Sequence, residues 1–232
     1  MVSFIIPTVY KSKNLKIQVS NLERCDLVEE IIIVEDAPYN GMFDGMVLNK
    51  TKIVPYDGNQ KYCNGGWNLG LGLSKCFYYA LSTDDIIYST KVIEDVIHFY
   101  KTRPNLGVIG IHAVNYNKYE PGRLLVYGIT ERQKEWADGG WGALMFNHKD
   151  NLMIIPEELK HWCGDTYYLE YSRYPVYDYF REKFFTGNDD HGSESSKIMD
   201  VCTNDQKIYT EKYKLPKPLW KQNNGEILKP GT

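Results

Sequence analysis

Two short, β-branched apolar runs open the chain, VSFIIP from Val2 and EEIIIVED from Glu29 to Asp36, and both have the length and composition of buried strands. Between them SKNLKIQVSNLERC places Leu15, Ile17, Val19 and Leu22 at helical spacing with charges elsewhere. The pattern predicts a strand–helix–strand unit, hence a parallel, right-handed crossover. KIVPY reads as a third strand, and GWNLGLGLSKCFYYAL as a helix despite its glycines, which permit close approach of backbone to backbone or to ligand. DDIIYS follows as a fourth strand, KVIEDVIHFYKT as a helix and LGVIGIHA as a fifth strand. This half alternates as a nucleotide-binding α/β sheet does.

After Asn115 the pattern loosens. RLLVYGI and GALMFNH read as strands, and PEELKHWCGDTYYLEYSRY as a helix with Pro156 in its first turn. From Ser193 onward, Ile198, Val201, Cys202 and Ile208 predict another helix, and PLWKQNNGEILKPGT reads as a surface extension. No repeat, low-complexity tract or linker interrupts the chain, so a single domain over residues 1–232 is expected.

Composition narrows the function classes. A formal charge of −3 and a pI near 6.0 show none of the basic excess that neutralises nucleic-acid phosphates. No apolar run reaches the length of a membrane span, and MVSFIIPTVY is too short for a signal peptide and lacks its basic start. A soluble, cytoplasmic protein is expected, in a host cytoplasm if the source is viral. The five cysteines, Cys25, Cys63, Cys76, Cys163 and Cys202, have no C-x-x-C spacing and imply neither a disulfide framework nor a cysteine zinc site. Many of the 19 tyrosines gather in DTYYLEYSRYPVYDYF, Asp165 to Phe180, a composition shared by a stacking surface and by an amphipathic helix packed on a core.

The candidate chemistry lies in the polar residues at strand ends, because ligands of an open parallel sheet bind beyond the carboxyl ends of its strands. The first strand ends in Pro7-Thr8-Val9-Tyr10 and the second in Glu35-Asp36. The latter pair is read either as ligand-binding or as a turn or helix cap. In YYALSTDDIIYST, Asp84 and Asp85 stand side by side between a helix-like run and an apolar segment. They form either an ordinary turn or a site where a divalent cation offsets their repulsion. NGGWNLGLG, which includes Asn68, matches neither the dinucleotide nor the P-loop fingerprint.

Taken in order, FIIPT, EIIIVEDAP, NGGWNLGLGLSKC, STDDI, GGWGALMF, HWCGDTYY and DDHGSESS resemble the family 2 glycosyltransferases of the GT-A fold, over roughly residues 2–196. The resemblance implies a mixed, mostly parallel Rossmann-like sheet flanked by helices, with a nucleotide-binding half (1–115), an acceptor-binding half (116–215) and a C-terminal extension (216–232). It implies a metal-dependent inverting transfer from a nucleotide-sugar, most simply a UDP-sugar, to a glycan or other acceptor hydroxyl. Asp36, with Glu35, matches the carboxylate that binds base and ribose. Pro7, Thr8, Tyr10 and Asn68 fall among the donor-binding segments. Asp85 matches the direct ligand of Mn²⁺ or Mg²⁺ and Asp84 a ribose or metal partner, although Thr83 departs from the family pattern. Asp165 matches the general base, with Gly164 where the family places a companion carboxylate. Gly140 and Trp141 match the loop that passes the donor sugar, with a core tryptophan as the competing reading. His191, in HGSES, matches the imidazole that completes the metal site.

Other classes fit parts of the pattern. A nucleotidyltransferase shares the nucleotide-binding half but needs a basic triphosphate loop, for which Lys11, Lys13 and Lys16 are the nearest residues. An inactive sugar-binding module keeps the aromatic surface without a donor site. A hydroxymethylated base in DNA is a further acceptor, as in phage glycosyltransferases, with the acidic net charge weighing against it.

Overall fold

The computed structural model describes residues 1–103, 105–112, 129–131, 141–179, 185–186 and 196–222. Its centre is an eight-stranded sheet. Strands β1 (Val2–Thr8), β2 (Val28–Glu35) and β3 (Thr51–Val54) come first, followed by β4 (Tyr78–Ser82), β6 (Ile109–His112), β7 (Ile129–Glu131), β8 (Gly142–His148) and β9 (Tyr177–Tyr179). The spatial order is β3-β2-β1-β4-β8-β6-β9-β7. β3, β2, β1 and β4 are mutually parallel, whereas β8 runs antiparallel to both β4 and β6. The short β5 (Ile86–Ile87) and β10 (Phe185–Thr186) form a separate antiparallel pair.

Alternation along β1 sorts its side chains to two cores, as the strand period requires. Val2, Phe4 and Ile6 pack with α1 (Asn14–Glu23) and α3 (Thr90–Thr102), while Ile5 faces α2 (Tyr62–Leu73) and α4 (Gly164–Tyr171) on the other side. α5 (Ser196–Ile208) continues into a π-turn at Tyr209–Tyr213, and α6 (Leu219–Gln222) follows. The arrangement is helices on both faces of a mixed sheet, as expected.

Helix α2 holds four glycines, each costing about 1 kcal/mol in a helix interior. Two of them allow α2 to lie on β1. A Cβ at Gly70 would stand 2.3 Å from Ile5 Cγ2, and one at Gly66 would stand 2.7 Å from Pro7 Cβ. Gly66 and Gly70 therefore serve close packing of helix on sheet.

Several expected elements are corrected. The run read as one helix, GWNLGLGLSKCFYYAL, breaks after Leu73, and Tyr78–Ser82 is the central strand β4. Its buried aromatic and aliphatic residues pair with β1 on one side and β8 on the other. Asp84 and Asp85 therefore follow the carboxyl end of β4 and, as expected, directly precede a strand, the short β5. Pro156 starts no helix, since α4 begins at Gly164. Ile17 is 47% exposed, and Gln18 takes the buried position beside Leu15, Val19 and Leu22. Trp220, in the expected surface extension, is buried against Leu169 with its indole N–H on that carbonyl. Of RLLVYGI only Ile129 lies within the described residues.

Candidate active site

The site grows from the point where the sheet reverses its order. β1 pairs with β2 along its whole length, to Thr8↔Glu35, but with β4 only as far as Ile5↔Leu81. Pro7 has no N–H to continue the second ladder. Beyond it the carboxyl ends of β1 and β4 separate into a crevice, the position where open α/β sheets bind ligands.

Hydrogen bonds fix the polar residues around that crevice. The Thr8 hydroxyl donates to Asp84 Oδ2 at 2.6 Å, bridging the two strands, and accepts from the Tyr10 N–H at 2.8 Å. Tyr10 adopts φ 58°, and its hydroxyl donates to Glu35 Oε1 at 2.6 Å. Glu35 Oε2 takes the Tyr56 N–H at 3.0 Å. The N–H of Asp36 donates to the Thr8 carbonyl at 2.8 Å. Its carboxylate accepts the N–H groups of Lys61 and Tyr62, the first residues of α2. The helix-cap reading of Asp36 is therefore realised.

The acids also influence their neighbours electrostatically. Burial, and then the charges of Asp84, Asp165, Asp85 and Asp36, hold the Cys63 thiol well above its usual range. One side chain at the start of α2 thus feels the four aspartates singled out in the sequence. Asp84 is pushed up to about 6, first by desolvation and then by Asp85, against the stabilising hydroxyl of Thr8. Desolvation also raises Asp36, opposed by its two amides.

Asp85 is oriented through its backbone, whose carbonyl accepts from Asn14 Nδ2 at 2.7 Å. Gln18 Nε2 holds the preceding turn through Ser82 Oγ at 2.7 Å and the Thr83 carbonyl at 3.2 Å. The pair Asp84–Asp85 suits a hard divalent cation, whose charge would relieve their repulsion. Among the described residues no three His, Cys, Asp or Glu side chains form a metal-holding group. His191 and Gly140 lie outside the described residues.

Asp165 occupies the first turn of α4, where a carboxylate is favoured by the helix dipole, and its Oδ1 accepts the Thr166 N–H at 2.8 Å. It is not the helix-interior residue that the longer expected helix made it. Gly164, in the companion-carboxylate position, has no room for a side chain: a Cβ there would stand 2.1 Å from Asn64 Oδ1.

Two expected donor residues sit elsewhere. Trp141 is 3% exposed, with its indole N–H on Asp178 Oδ1 at 2.6 Å, and its ring occupies the space a Cβ of Gly110 would need. A ring so enclosed packs the core instead of offering a face to a sugar. Asn68 spends both ends of its amide on the backbone of Ile155, at 2.8 and 3.0 Å, and so braces α2 against the following loop. The tyrosine-rich stretch divides into α4 and β9, with Tyr168, Tyr174 and Tyr179 buried, which is the packing alternative.

Gln18, Asn64 and Asp205 were not singled out from the sequence. Two of them carried a signal. Gln18 interrupts the apolar stripe Leu15–Val19–Leu22, and Asp205 that of Cys202–Ile208, and a polar residue in such a stripe needs a buried partner.

Sheet order, flanking helices and the crevice define the fold of the GT-A-like glycosyltransferases. Solved structures of TarS from S. aureus share it. Residues 1–349 of TarS in complex with UDP-GlcNAc superpose with a TM-score of 0.64 at 15% identity, covering 86% of this chain and 64% of that one. A second structure of TarS 1–349 gives 0.61 at 13% identity, over 92% and 75%, and its UDP complex gives 0.56 at 14%, over 79% and 59%. The chain thus spans less than two thirds of the TarS fragment in the first comparison. No protein-family model matches the sequence, and no curated protein matches it. Among the described residues no helix is long and apolar enough to cross a membrane.

Proposed function

We propose that this protein is an inverting glycosyltransferase that moves a sugar from a nucleotide-sugar, a UDP-sugar, to an acceptor hydroxyl. The observation that carries the reading is the set of carboxylates at the carboxyl ends of β1, β2 and β4, where the Thr8 hydroxyl bridges to Asp84 and Asp36 accepts the Tyr62 N–H at the start of α2. The TarS complexes with UDP-GlcNAc and UDP support the donor class.

The acidity of the crevice is informative, because a nucleotide-sugar brings a diphosphate of the same sign. A divalent cation, Mn²⁺ or Mg²⁺, reconciles the two and, when bound, stabilises the charge that develops on the leaving diphosphate. Asp85 is the proposed ligand, with Asp84 beside it and His191 as the proposed imidazole partner. Asp36, next to the α2 N-terminus, accepts hydrogen bonds from the donor's base and ribose. Asp165 removes the proton of the attacking hydroxyl as the new bond forms. Attack from the face opposite the leaving group inverts the anomeric carbon.

Calorimetry of UDP with and without Mn²⁺ tests the site directly. The expected result is tighter binding with metal, lost in Asp85→Ala. Equal affinity in both conditions removes the metal from the reading. A thermal-shift screen of nucleotide-sugars identifies the donor, since a ligand selective for the folded state raises Tm. NMR of the product is expected to show inverted configuration, and retention rules out the proposed chemistry.

A further inference from the structure

The loop that delivers Asp165 is held by two buried polar side chains from distant elements. Asp205, on α5, is completely buried, and its carboxylate accepts the N–H groups of Lys160 at 3.1 Å, His161 at 2.7 Å and Trp162 at 2.9 Å. From α2, Asn64 is 1% exposed, and its Nδ2 donates to the carbonyls of Leu159 at 3.0 Å and Trp162 at 2.9 Å. The backbone N–H of Asn64 donates to the Lys160 carbonyl at 3.0 Å. Irregular backbone buried inside a protein must find partners for its polar groups, and here they come from outside the loop.

We infer that Asp205 and Asn64 are positioning residues for Asp165, setting where the base stands relative to the donor; the inference rests on the proposed role of Asp165. Three features favour this over simple satisfaction of a loop. Immediately after the clamp, Cys163 takes the left-handed conformation, φ 64° and ψ 2°, which aims the chain into α4. Non-glycine residues with positive φ carry strain that surrounding structure must hold. At the next residue, Gly164 lies against Asn64 Oδ1 with no space for a Cβ, so the same side chain also fixes the start of α4. Finally, Asn64 lies two residues after Tyr62, whose N–H donates to Asp36 Oδ2 at 3.0 Å. Clamping the loop to this turn of α2 therefore ties the base to the donor side of the crevice. A displacement of about 1 Å in such a geometry can cost ~10²-fold in rate.

The test combines exchange and kinetics on the full chain. Asp205→Asn leaves one acceptor oxygen for three amides, and Asn64→Ser withdraws the two carbonyl contacts from the α2 side, so either variant that folds tests the clamp. Both are expected to speed hydrogen exchange at residues 160–162. Each is expected to lower kcat by roughly 10- to 100-fold while the donor Kd changes less than about twofold. In an Asp165→Asn background, Asp205→Asn is expected to add no further loss, because its effect passes through the missing carboxylate. A full multiplicative loss in that background, with Asp165→Asn itself slow, overturns the positioning role alone. Unchanged kcat despite faster exchange at 160–162 overturns it too. If Asp165→Asn keeps full turnover, the base assignment fails and the positioning role falls with it.

Discussion

The two sides of the crevice hold their acids by different means. On the proposed donor side Asp84 is held by Thr8, Glu35 by Tyr10 and Tyr56, and Asp36 by the amides of Lys61 and Tyr62 where α2 begins. Parallel pairing already places these residues together, since Thr8 opposes Glu35 in register. On the acceptor side Asp165 follows no strand. Its place depends on backbone contacts reaching from Asn64 and from Asp205, 101 and 40 residues away by their numbers. Regular sheet geometry supplies order on one side, and long-range side-chain clamps replace it on the other.

The largest expected effect falls on the acceptor side. Asp165→Asn is expected to lower turnover by ~10²–10⁴-fold while donor affinity, measured by calorimetry, stays nearly constant. Equal losses in binding and turnover would erase the distinction between the two sides.

Asp84 sharpens the comparison through stability. Its rise from 3.8 to about 6 corresponds to roughly 3 kcal/mol of unfavourable charge in the protein without cation or nucleotide. Because the folded value is the higher one, this penalty is absent below about 3.8 and reaches its full size as the pH rises through about 6. Asp84→Asn is therefore expected to raise stability at pH 7 by up to that amount and to flatten its change between pH 4 and 6, as read by urea unfolding. A destabilised Asn variant would contradict the electrostatic account.

Two glycines of α2 give opposite, smaller effects. At Gly70 an added methyl meets Ile5, so Gly70→Ala is expected to cost ~1–3 kcal/mol, by the overpacking of a filled core. The cap at Asp36 comes next: Asp36→Ala is expected to cost ~1 kcal/mol of stability and, under the proposed donor-binding role, to weaken UDP binding. Gly72 faces open space, and Gly72→Ala is expected to stabilise by ~0.5–1 kcal/mol through helix propensity. Thermal or urea denaturation orders all three.

The apolar runs of β1 and β2, and the amphipathic spacing of α3, were legible in the sequence because local periodicity and burial agree there, and in α1 they agree at all but Ile17 and Gln18. Thr8, Tyr10, Glu35 and Asp36 were legible for a related reason, since residues at the ends of neighbouring parallel strands meet, whereas Asp84 was singled out without the strand that precedes it. Tyr78–Ser82 misled because its apolar run directly continues that of α2 without a breaker stronger than Ser74-Lys75, and only its pairing with β1 and β8 makes it a strand. Tertiary structure alone decided that Trp141 closes onto Gly110, that Asn68 serves Ile155 and that Gly164 must stay bare beside Asn64. It also decided that Asp205 gathers the amides before Asp165. Each of these depends on contacts between residues far apart in the chain, whose partners no local spacing specifies.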